Sequence, residues 1–225
     1  MLEDIAAVVP AYNAGRHIEG VIRGLLRHVP ARNVVVVDDG SGDDTASVAA
    51  STGAAVLRHP VNRGKGAALR TGFGAALAMP GISAIVMLDA DGQHDPDEVP
   101  RFAEAFAAGA GELVIGDRMQ VTGSMPRLRV FTNRFTSAVI SLIAKQRVPD
   151  TQNGYRLAGC ALLRRVELAS ERYEIESELI VKASRAGARI ASIPVSTIYG
   201  SERSAIHPAR DTLRFFSLVF RSFFW

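Results

Sequence analysis

The sequence VVVVDD, at residues 34–39, places four consecutive valines directly before two aspartates. β-Branched residues favour strands, and an apolar run without alternating polar residues is typical of a strand buried on both faces. Four other short runs have the same character: IAAVVP (5–10), AAVL (54–57), IVMLD (85–89) and ELVIG (112–116). Because strands buried on both faces occur in parallel sheets, these runs predict an α/β protein.

The segments between these runs are long enough for helices. Residues 15–29, 43–53, 64–79 and 96–109 carry apolar side chains at a spacing of three to four. This alternation predicts a Rossmann-like, mostly parallel sheet flanked by helices. Further helices are expected around 127–146 and 176–187, and a strand-like run occupies 189–199. We predict one α/β domain at residues 1–207 and an amphipathic helix at residues 208–225.

The composition excludes several classes of protein. The chain has 225 residues, 48% of them apolar, and its single cysteine, Cys160, cannot form an internal disulfide. A net charge of +3 gives no indication of a nucleic-acid partner. The N-terminus lacks the pattern of a signal peptide, and no window approaches the ~18–20 apolar residues of a membrane span.

Three predicted strands end in polar side chains, which are Tyr12 and Asn13, Asp38 and Asp39, and Asp89 and Asp91. Any one of these ends is explained as a turn or a helix cap. Ligands of open parallel sheets, however, bind beyond the carboxyl ends of the strands. Three coincident polar ends therefore predict a binding site.

The sequence DADGQ, at residues 89–93, is a candidate metal site. If the strand continues past Asp89, alternation puts Asp89 and Asp91 on one face and turns Ala90 away. Two neighbouring carboxylates stay ionised when a cation offsets their repulsion. Mg²⁺ or Mn²⁺ suits oxygen ligands and substrate phosphates, and Gln93 offers a further oxygen. For His94, a structural hydrogen bond and metal ligation both remain open.

The sequence NRGKGAAL, at residues 62–69, is a candidate phosphate site. Arg63 and Lys65 lie among glycines just before a predicted helix, where free backbone N–H groups and the helix dipole favour an anion. The segment matches neither a Walker A loop nor a Rossmann fingerprint. Acidic metal ligands together with a basic phosphate site indicate a nucleoside diphosphate.

Seven motifs in order extend this pattern over residues 8 to about 215: VVPAYNAG, VVVVDDGSGDDT, NRGKGAALRTGF, MLDADGQHDP, GDR, DTQNGYR and IPVSTIYGSERSAIHPARDTLRF. Together they resemble glycosyltransferase family 2, and most closely its polyprenyl-phosphate glycosyltransferase branch, which includes the dolichol-phosphate mannose synthases. The resemblance implies a GT-A fold and a nucleotide-sugar donor.

The resemblance also implies roles for individual residues. The nucleotide sugar would be bound by Pro10, Tyr12, Asn13, Asp38, Asp39, Lys65, Asp89 and Arg203. The acceptor phosphate would be bound by Arg118, Arg129 and Asn133. Asp89, Asp91 and Gln93 would hold Mg²⁺ or Mn²⁺. Asp91, Arg118 and Asp150 are the expected catalytic residues, with Asp150 acting either as a general base or as an orienting group.

The expected reaction is the inverting transfer of a hexose from a GDP-mannose-type or UDP-glucose-type donor to a dolichyl or undecaprenyl phosphate. Because a phosphate is anionic at neutral pH, it needs positioning more than deprotonation. Two alternatives remain. One is a family 2 glycosyltransferase acting on a soluble sugar or a cell-envelope glycan. The other is a non-catalytic nucleotide or lipid sensor.

The end of the chain predicts contact with a membrane surface. Phe216, Val219, Phe220 and Phe223 form one stripe of a helix, and three arginines lie on another face. Packing of this stripe on the domain's own core is the alternative. The apolar run AVISLIA, at residues 138–144, is a second candidate contact. We expect a cytoplasmic protein that is peripheral on the inner face of the cell membrane, with or without a separate membrane-anchoring partner.

Overall fold

The computed structural model describes residues 1–119, 127–196, 198 and 219–222, and residues 127–129 are described by their backbone alone. The described strands are β1 (Ile5–Ala11), β2 (Val34–Asp38), β3 (Ala55–Arg58), β4 (Ala84–Met87), β5 (Leu113–Asp117), β6 (Arg156–Gly159) and β7 (Ile190–Pro194). The described α-helices are α1 (Ile18–Leu25), α2 (Thr45–Ser51), α3 (Lys65–Leu77), α4 (Val99–Ala107), α5 (Arg127–Ala144), α6 (Cys160–Arg165) and α7 (Ile175–Arg185).

These strands form one sheet in the order β3-β2-β1-β4-β6-β5-β7. All neighbouring strands pair in parallel except β6, which is antiparallel to both β4 and β5. Because β6 opposes both neighbours, β4 and β5 run in the same direction. The carboxyl ends of β1, β2, β4 and β5 therefore lie at one edge of the sheet. The predicted α/β class with a mostly parallel sheet is confirmed.

The valines of β2 explain why the strands are apolar on both sides. Val35 and Val37 join one core cluster, whereas Val34 and Val36 join the other. Helices α3, α5, α6 and α7 contribute to the first cluster, and α1, α2 and α4 contribute to the second. Each face of the sheet is thus covered by helices, as the unbroken valine run predicts.

The structure differs from the sequence analysis at two places. Strand β4 ends at Met87 and residues 90–91 form a turn, so the strand does not continue past Asp89 and alternation does not orient Asp89 and Asp91. The antiparallel strand β6 was not predicted, because RLAG is too short to give a period. It owes its strand conformation to pairing with β4 and β5.

The predicted helix at residues 208–225 lies outside the described residues except at positions 219–222, which are helical. Val219 packs against the first core cluster, while Phe220 is 66% exposed. The domain division at residue 207 therefore stays a prediction. None of the helices in the described ranges is long and apolar enough to cross a bilayer.

Candidate functional site

A cavity of about 460 Å³ opens at the carboxyl ends of β1, β4 and β5. Most of the predicted site residues lie in its wall: Pro10, Tyr12, Asn13, Asp39, Lys65, Asp89, Asp91, Gln93, Arg118 and Asn133. They come from segments distant in sequence, and the parallel strands bring them to one edge of the sheet. The prediction that the polar strand ends face a common space is borne out for β1 and β4, and for Asp39 after β2.

Lys65 is the central cation of this cavity. Its Nζ lies 2.5 Å from Oδ1 of Asp89 and 2.6 Å from Oε1 of Glu176. Burial alone would lower the pKa of Lys65, but attraction to these two carboxylates raises it above its ordinary value. Burial likewise opposes ionisation of Asp89, yet Lys65 holds the pKa of Asp89 below its ordinary value. Both groups are therefore charged at neutral pH.

The glycine-rich loop before α3 is held by Asp39. Its Oδ1 accepts the Arg63 N–H at 3.0 Å, and its Oδ2 accepts the Gly64 N–H at 2.7 Å. His59 Nδ1 lies 2.6 Å from Oδ1 of the same carboxylate. The sequence predicted free N–H groups for a phosphate here, and for these two amides that was wrong, because a carboxylate of the protein occupies them. Asn62, Gly64 and Lys65 of this loop line the cavity, and Lys65 is the charged group among them.

The predicted metal ligands lie together on the turn after β4. Gly92 has φ +75°, and the Gln93 N–H donates to Oδ1 of Asp91 at 3.0 Å. The Asp89 N–H donates to Nδ1 of His94 at 3.2 Å. Burial lowers the pKa of His94 to about 4, so the ring is neutral and accepts this bond. Of the two roles left open for His94, the geometry supports the structural one.

The donor set of this turn fits Mg²⁺ or Mn²⁺. Asp89, Asp91 and Gln93 supply oxygen atoms to one cavity, as these hard cations require. A Cβ atom at Gly154 would lie 2.9 Å from Oδ2 of Asp89, so the glycine leaves room beside that carboxylate. In the part of the chain that the structure describes, no three His, Cys, Asp or Glu side chains converge on a metal position. Besides the carboxylates of Asp89 and Asp91, a bound cation would therefore take its ligands from the amide oxygen of Gln93, from water and from the substrate.

Arg118 and Asp150 form a buried fork. Nε of Arg118 lies 2.7 Å from Oδ2 of Asp150, and Nη2 lies 3.0 Å from Oδ1. Burial would lower the pKa of Arg118, but the bonds to Asp150 raise it. Asp150 is fully buried, whereas Arg118 reaches the cavity wall. This geometry favours an orienting role for Asp150 over a general base.

One predicted residue, Asp38, lies outside the cavity wall, and the side chains of two others are outside the described residues. Asp38 is fully buried outside the cavity wall, where its Oδ1 accepts the Ser41 N–H at 3.0 Å and its Oδ2 lies 3.0 Å from Nε of Arg58. Its predicted contact with the nucleotide is not supported by this position. Arg129 lies on α5, one turn before Asn133, but its side chain is outside the described residues. Arg203 is outside them altogether.

The cavity wall also contains residues that the motifs did not single out. Glu176 lies in the first turn of α7 and pairs with Lys65. Tyr173 places its ring centroid 5.8 Å from Nζ of Lys65. Arg172 and Gln152 also line the cavity. Arg172 and Tyr173 gave no signal because they lie in a loop, outside the motifs, where there is no period.

Gly154→Ala is expected to lower kcat/KM for the sugar transfer that the motifs predict by about a hundredfold, because small displacements of catalytic groups have effects of that size. The new methyl group would lie 2.9 Å from both Oδ2 of Asp89 and Nζ of Lys65 and would push them apart. Gly74→Ala on α3 is the matched control, since its Cβ would meet no atom within 4 Å. Equal activity of the two variants would mean that this ion pair tolerates displacement.

Comparison with known proteins agrees with the resemblance seen in the motifs. The chain is 29% identical over 217 residues to a UDP-N-acetylglucosamine–dolichyl-phosphate N-acetylglucosaminyltransferase of Methanococcus voltae, covering 87% of this chain and 86% of the relative. It is 29% identical over 205 residues to an undecaprenyl-phosphate mannosyltransferase of Micrococcus luteus, covering 86% and 83%. The resemblance to the polyprenyl-phosphate branch is thereby confirmed.

The fold also matches solved structures. A glucosyl-3-phosphoglycerate synthase from Mycobacterium tuberculosis, crystallised with Mn²⁺, UDP and phosphoglyceric acid, superposes with a TM-score of 0.78 at 24% identity. The match covers 98% of this chain and 78% of that one, and it confirms the predicted GT-A fold. The family model for glycosyl transferase family 2 matches residues 6–169. The chain therefore belongs to glycosyl transferase family 2.

Proposed function

We propose that this protein transfers a hexose from a nucleotide-diphosphate sugar to a polyprenyl phosphate, with inversion at the anomeric carbon. The observation that carries the proposal is a single cavity that contains an acidic turn, Lys65 and the Arg118 fork. The two relatives named above support it, since their names describe transfer to dolichyl or undecaprenyl phosphate.

The donor would occupy the part of the cavity formed by β1, α3 and the turn after β4. Tyr12 is 52% exposed at the cavity wall, which suits contact with a nucleobase. Asp89, Asp91 and Gln93 would hold Mg²⁺ or Mn²⁺, and the solved relatives that contain Mn²⁺ or Mg²⁺ with UDP support this choice. When bound, such a cation supplies charge neutralisation for a diphosphate leaving group. Lys65 adds a fixed positive charge beside the same group.

The acceptor phosphate would bind at Arg118 and Asn133. Asp150 engages one edge of the Arg118 guanidinium, which fixes its plane and leaves the other edge to bind an anion. Asn133 is 8% exposed on α5 and lies in the same wall. A phosphate with a second pKa near ~6 is already nucleophilic at neutral pH, so no general base is needed.

A hydroxyl acceptor fits the described site less well. It would need a general base with access to the acceptor. Asp150 is fully buried, and the Glu176 carboxylate is paired with Lys65. A non-catalytic sensor would have no need for the combination of the acidic turn, Lys65 and the Arg118 fork in one cavity.

The proposal is tested by incubating the protein with radiolabelled nucleotide sugars, Mg²⁺ or Mn²⁺, and either a short polyprenyl phosphate or a panel of soluble sugars. We expect the label to enter the organic phase with at least one donor of the GDP-mannose or UDP-glucose type. Transfer to soluble sugars alone would contradict the proposal, and so would nucleotide binding without transfer to any acceptor.

Arg118→Lys is expected to lower transfer to polyprenyl phosphate by about a hundredfold while the donor dissociation constant stays within about twofold, because lysine lacks the planar fork. Arg101→Lys is the matched control, since Arg101 is exposed and pairs with Glu98. Calorimetry measures donor binding and the transfer assay measures the reaction, so the two together distinguish a donor contact from an acceptor contact. Equal losses in donor binding and in transfer would mean that Arg118 binds the donor rather than the acceptor phosphate.

We expect the reaction to take place at the inner face of the cell membrane. Polyprenyl phosphates stay in the bilayer, because each buried methylene of their chains adds about 0.8 kcal/mol to membrane affinity. The protein would therefore associate peripherally, through its own surface or through a membrane-anchoring partner.

A further inference from the structure

Helix α5 is fixed to the domain by one face. Ile140 and Ala144 on this face belong to the first core cluster, and Asn133 lines the cavity. Oγ of Ser137 lies 3.1 Å from Oγ1 of Thr151 and accepts the Thr151 N–H at 3.0 Å. The helix is therefore held against the segment that begins with Asp150.

The opposite face of α5 is apolar and exposed. Phe131 is 68% exposed, Phe135 50% and Leu142 80%, and Ala138 between them is exposed as well. At 100° per residue these four side chains fall within an arc of about 60°. We call Phe131, Phe135, Ala138 and Leu142 the outer stripe. An apolar stripe of this kind on a helix surface is typical of an interaction site.

The charged residues of α5 and of the sequence on either side of it have one sign. Residues 119–149 contain five basic residues and no aspartate or glutamate, the basic residues being Arg127, Arg129, Arg134, Lys145 and Arg147. Arg134, Lys145 and Arg147 are exposed. A negatively charged surface that covers the outer stripe would therefore be attracted by the exposed basic residues of this segment.

We infer that the outer stripe docks α5 onto an anionic membrane surface. Apolar side chains flanked by arginine and lysine are the pattern of a helix that lies in the headgroup region. This inference rests on the proposed function. Asn133, on the buried face of α5, lines the cavity in which the acceptor phosphate would bind, so docking of α5 would bring that site to the membrane. A helix is about 10 Å across, so docking brings the cavity to within roughly that distance of the headgroups.

The chain allows a direct test by labelling. Cys160, its one cysteine, is buried, so a cysteine introduced on the surface is modified selectively. Phe135→Cys and, as the control on α2, Ser47→Cys are each labelled with a polarity-sensitive dye. We expect phosphatidylglycerol–phosphatidylcholine vesicles to shift the emission of the dye at position 135 to the blue, and phosphatidylcholine vesicles to shift it much less. No shift at position 135, or equal shifts at both positions, would overturn the inference.

A binding measurement separates α5 from the end of the chain. The triple variant Phe131→Ser, Phe135→Ser, Leu142→Ser is expected to lower the partition coefficient for anionic vesicles by at least about tenfold. Phe220→Ser is the control, since Phe220 is 66% exposed outside α5. Loss of binding in the control alone would overturn the inference in favour of the C-terminal segment. A dimer that the triple variant dissociates, without vesicle binding by the wild type, would identify the stripe as a contact between copies.

The inference and the proposed function fail in different ways. If the triple variant still transfers sugar to a water-dispersed short polyprenyl phosphate but has lost transfer to the long acceptor in vesicles, both stand. Vesicle binding through the outer stripe without any transfer to polyprenyl phosphate would contradict the function only. Transfer that is equal for wild type and triple variant on vesicles would contradict the docking only.

Discussion

Asp91→Ala is expected to lower kcat/KM for sugar transfer by about a thousandfold, an effect typical of removing a group that stabilises charge in the transition state. Asp91 lies in the cavity wall on the turn after β4, beside Asp89 and Gln93. It gives a cleaner test than Asp89, whose removal would also break the ion pair with Lys65. The measurements are initial rates of transfer at saturating Mn²⁺ and calorimetric titration of Mn²⁺ in the presence of the nucleoside diphosphate.

Asp97→Ala is the matched control for this prediction. Asp97 is exposed and pairs with Arg27 and His28 outside the cavity. Its removal should leave both the rate and Mn²⁺ binding within about twofold of wild type, as is usual for exposed ion pairs. Wild-type turnover of Asp91→Ala with EDTA present would rule out the metal role of this turn.

Arg156→Met is expected to lower the free energy of unfolding by about 3–5 kcal/mol, because it removes three hydrogen bonds made by a buried guanidinium and leaves their acceptors unpaired. The Arg156 side chain is fully buried. Its Nε, Nη1 and Nη2 donate to the carbonyl oxygens of Asn153, Glu176 and Thr151 at 2.7, 2.5 and 2.8 Å. The substitution would leave these three carbonyl groups without their donors in the interior.

Chemical denaturation monitored by circular dichroism measures this loss. Arg165→Met is the matched control, since Arg165 is exposed and pairs with Glu112 at the surface. We expect the control to change the free energy of unfolding by less than about 0.5 kcal/mol. A similar small change for Arg156→Met would mean that water replaces the guanidinium.

Part of the fold and of the site follows from local sequence. Strands β1 and β2 begin and end within a residue of the predicted runs, because an unbroken apolar segment must be buried on both faces. The gathering of Tyr12, Asp39 and Asp89 at one cavity follows from the parallel direction of these strands. Their predicted contacts with donor and metal remain predictions.

Other features depend on contacts between distant segments and had no local signal. Asp38 and Asp39 are adjacent and chemically identical, but Asp38, the last residue of β2, pairs with Arg58, whereas Asp39, just beyond the strand, binds the loop at residues 63–64. The pairing of Lys65 with Glu176 joins positions 111 residues apart. Carboxylates serve as caps, ligands and hydrogen-bond acceptors alike, so residue type alone does not decide between these roles.

The antiparallel junction between β4 and β6 has a consequence for how this enzyme can be rebuilt. On one side of this junction lie β1–β4, which come from residues 5–87. On the other side lie β5–β7, which come from residues 113–194. Apart from Arg203, which the resemblance assigns to the donor, the proposed donor contacts lie in the first half and the proposed acceptor contacts in the second. A chimaera joined near residue 110 should therefore keep its nucleotide sugar and take the lipid preference of the relative that supplies the second half. Lys65 and Glu176 face each other across the junction, so both parents must retain this pair.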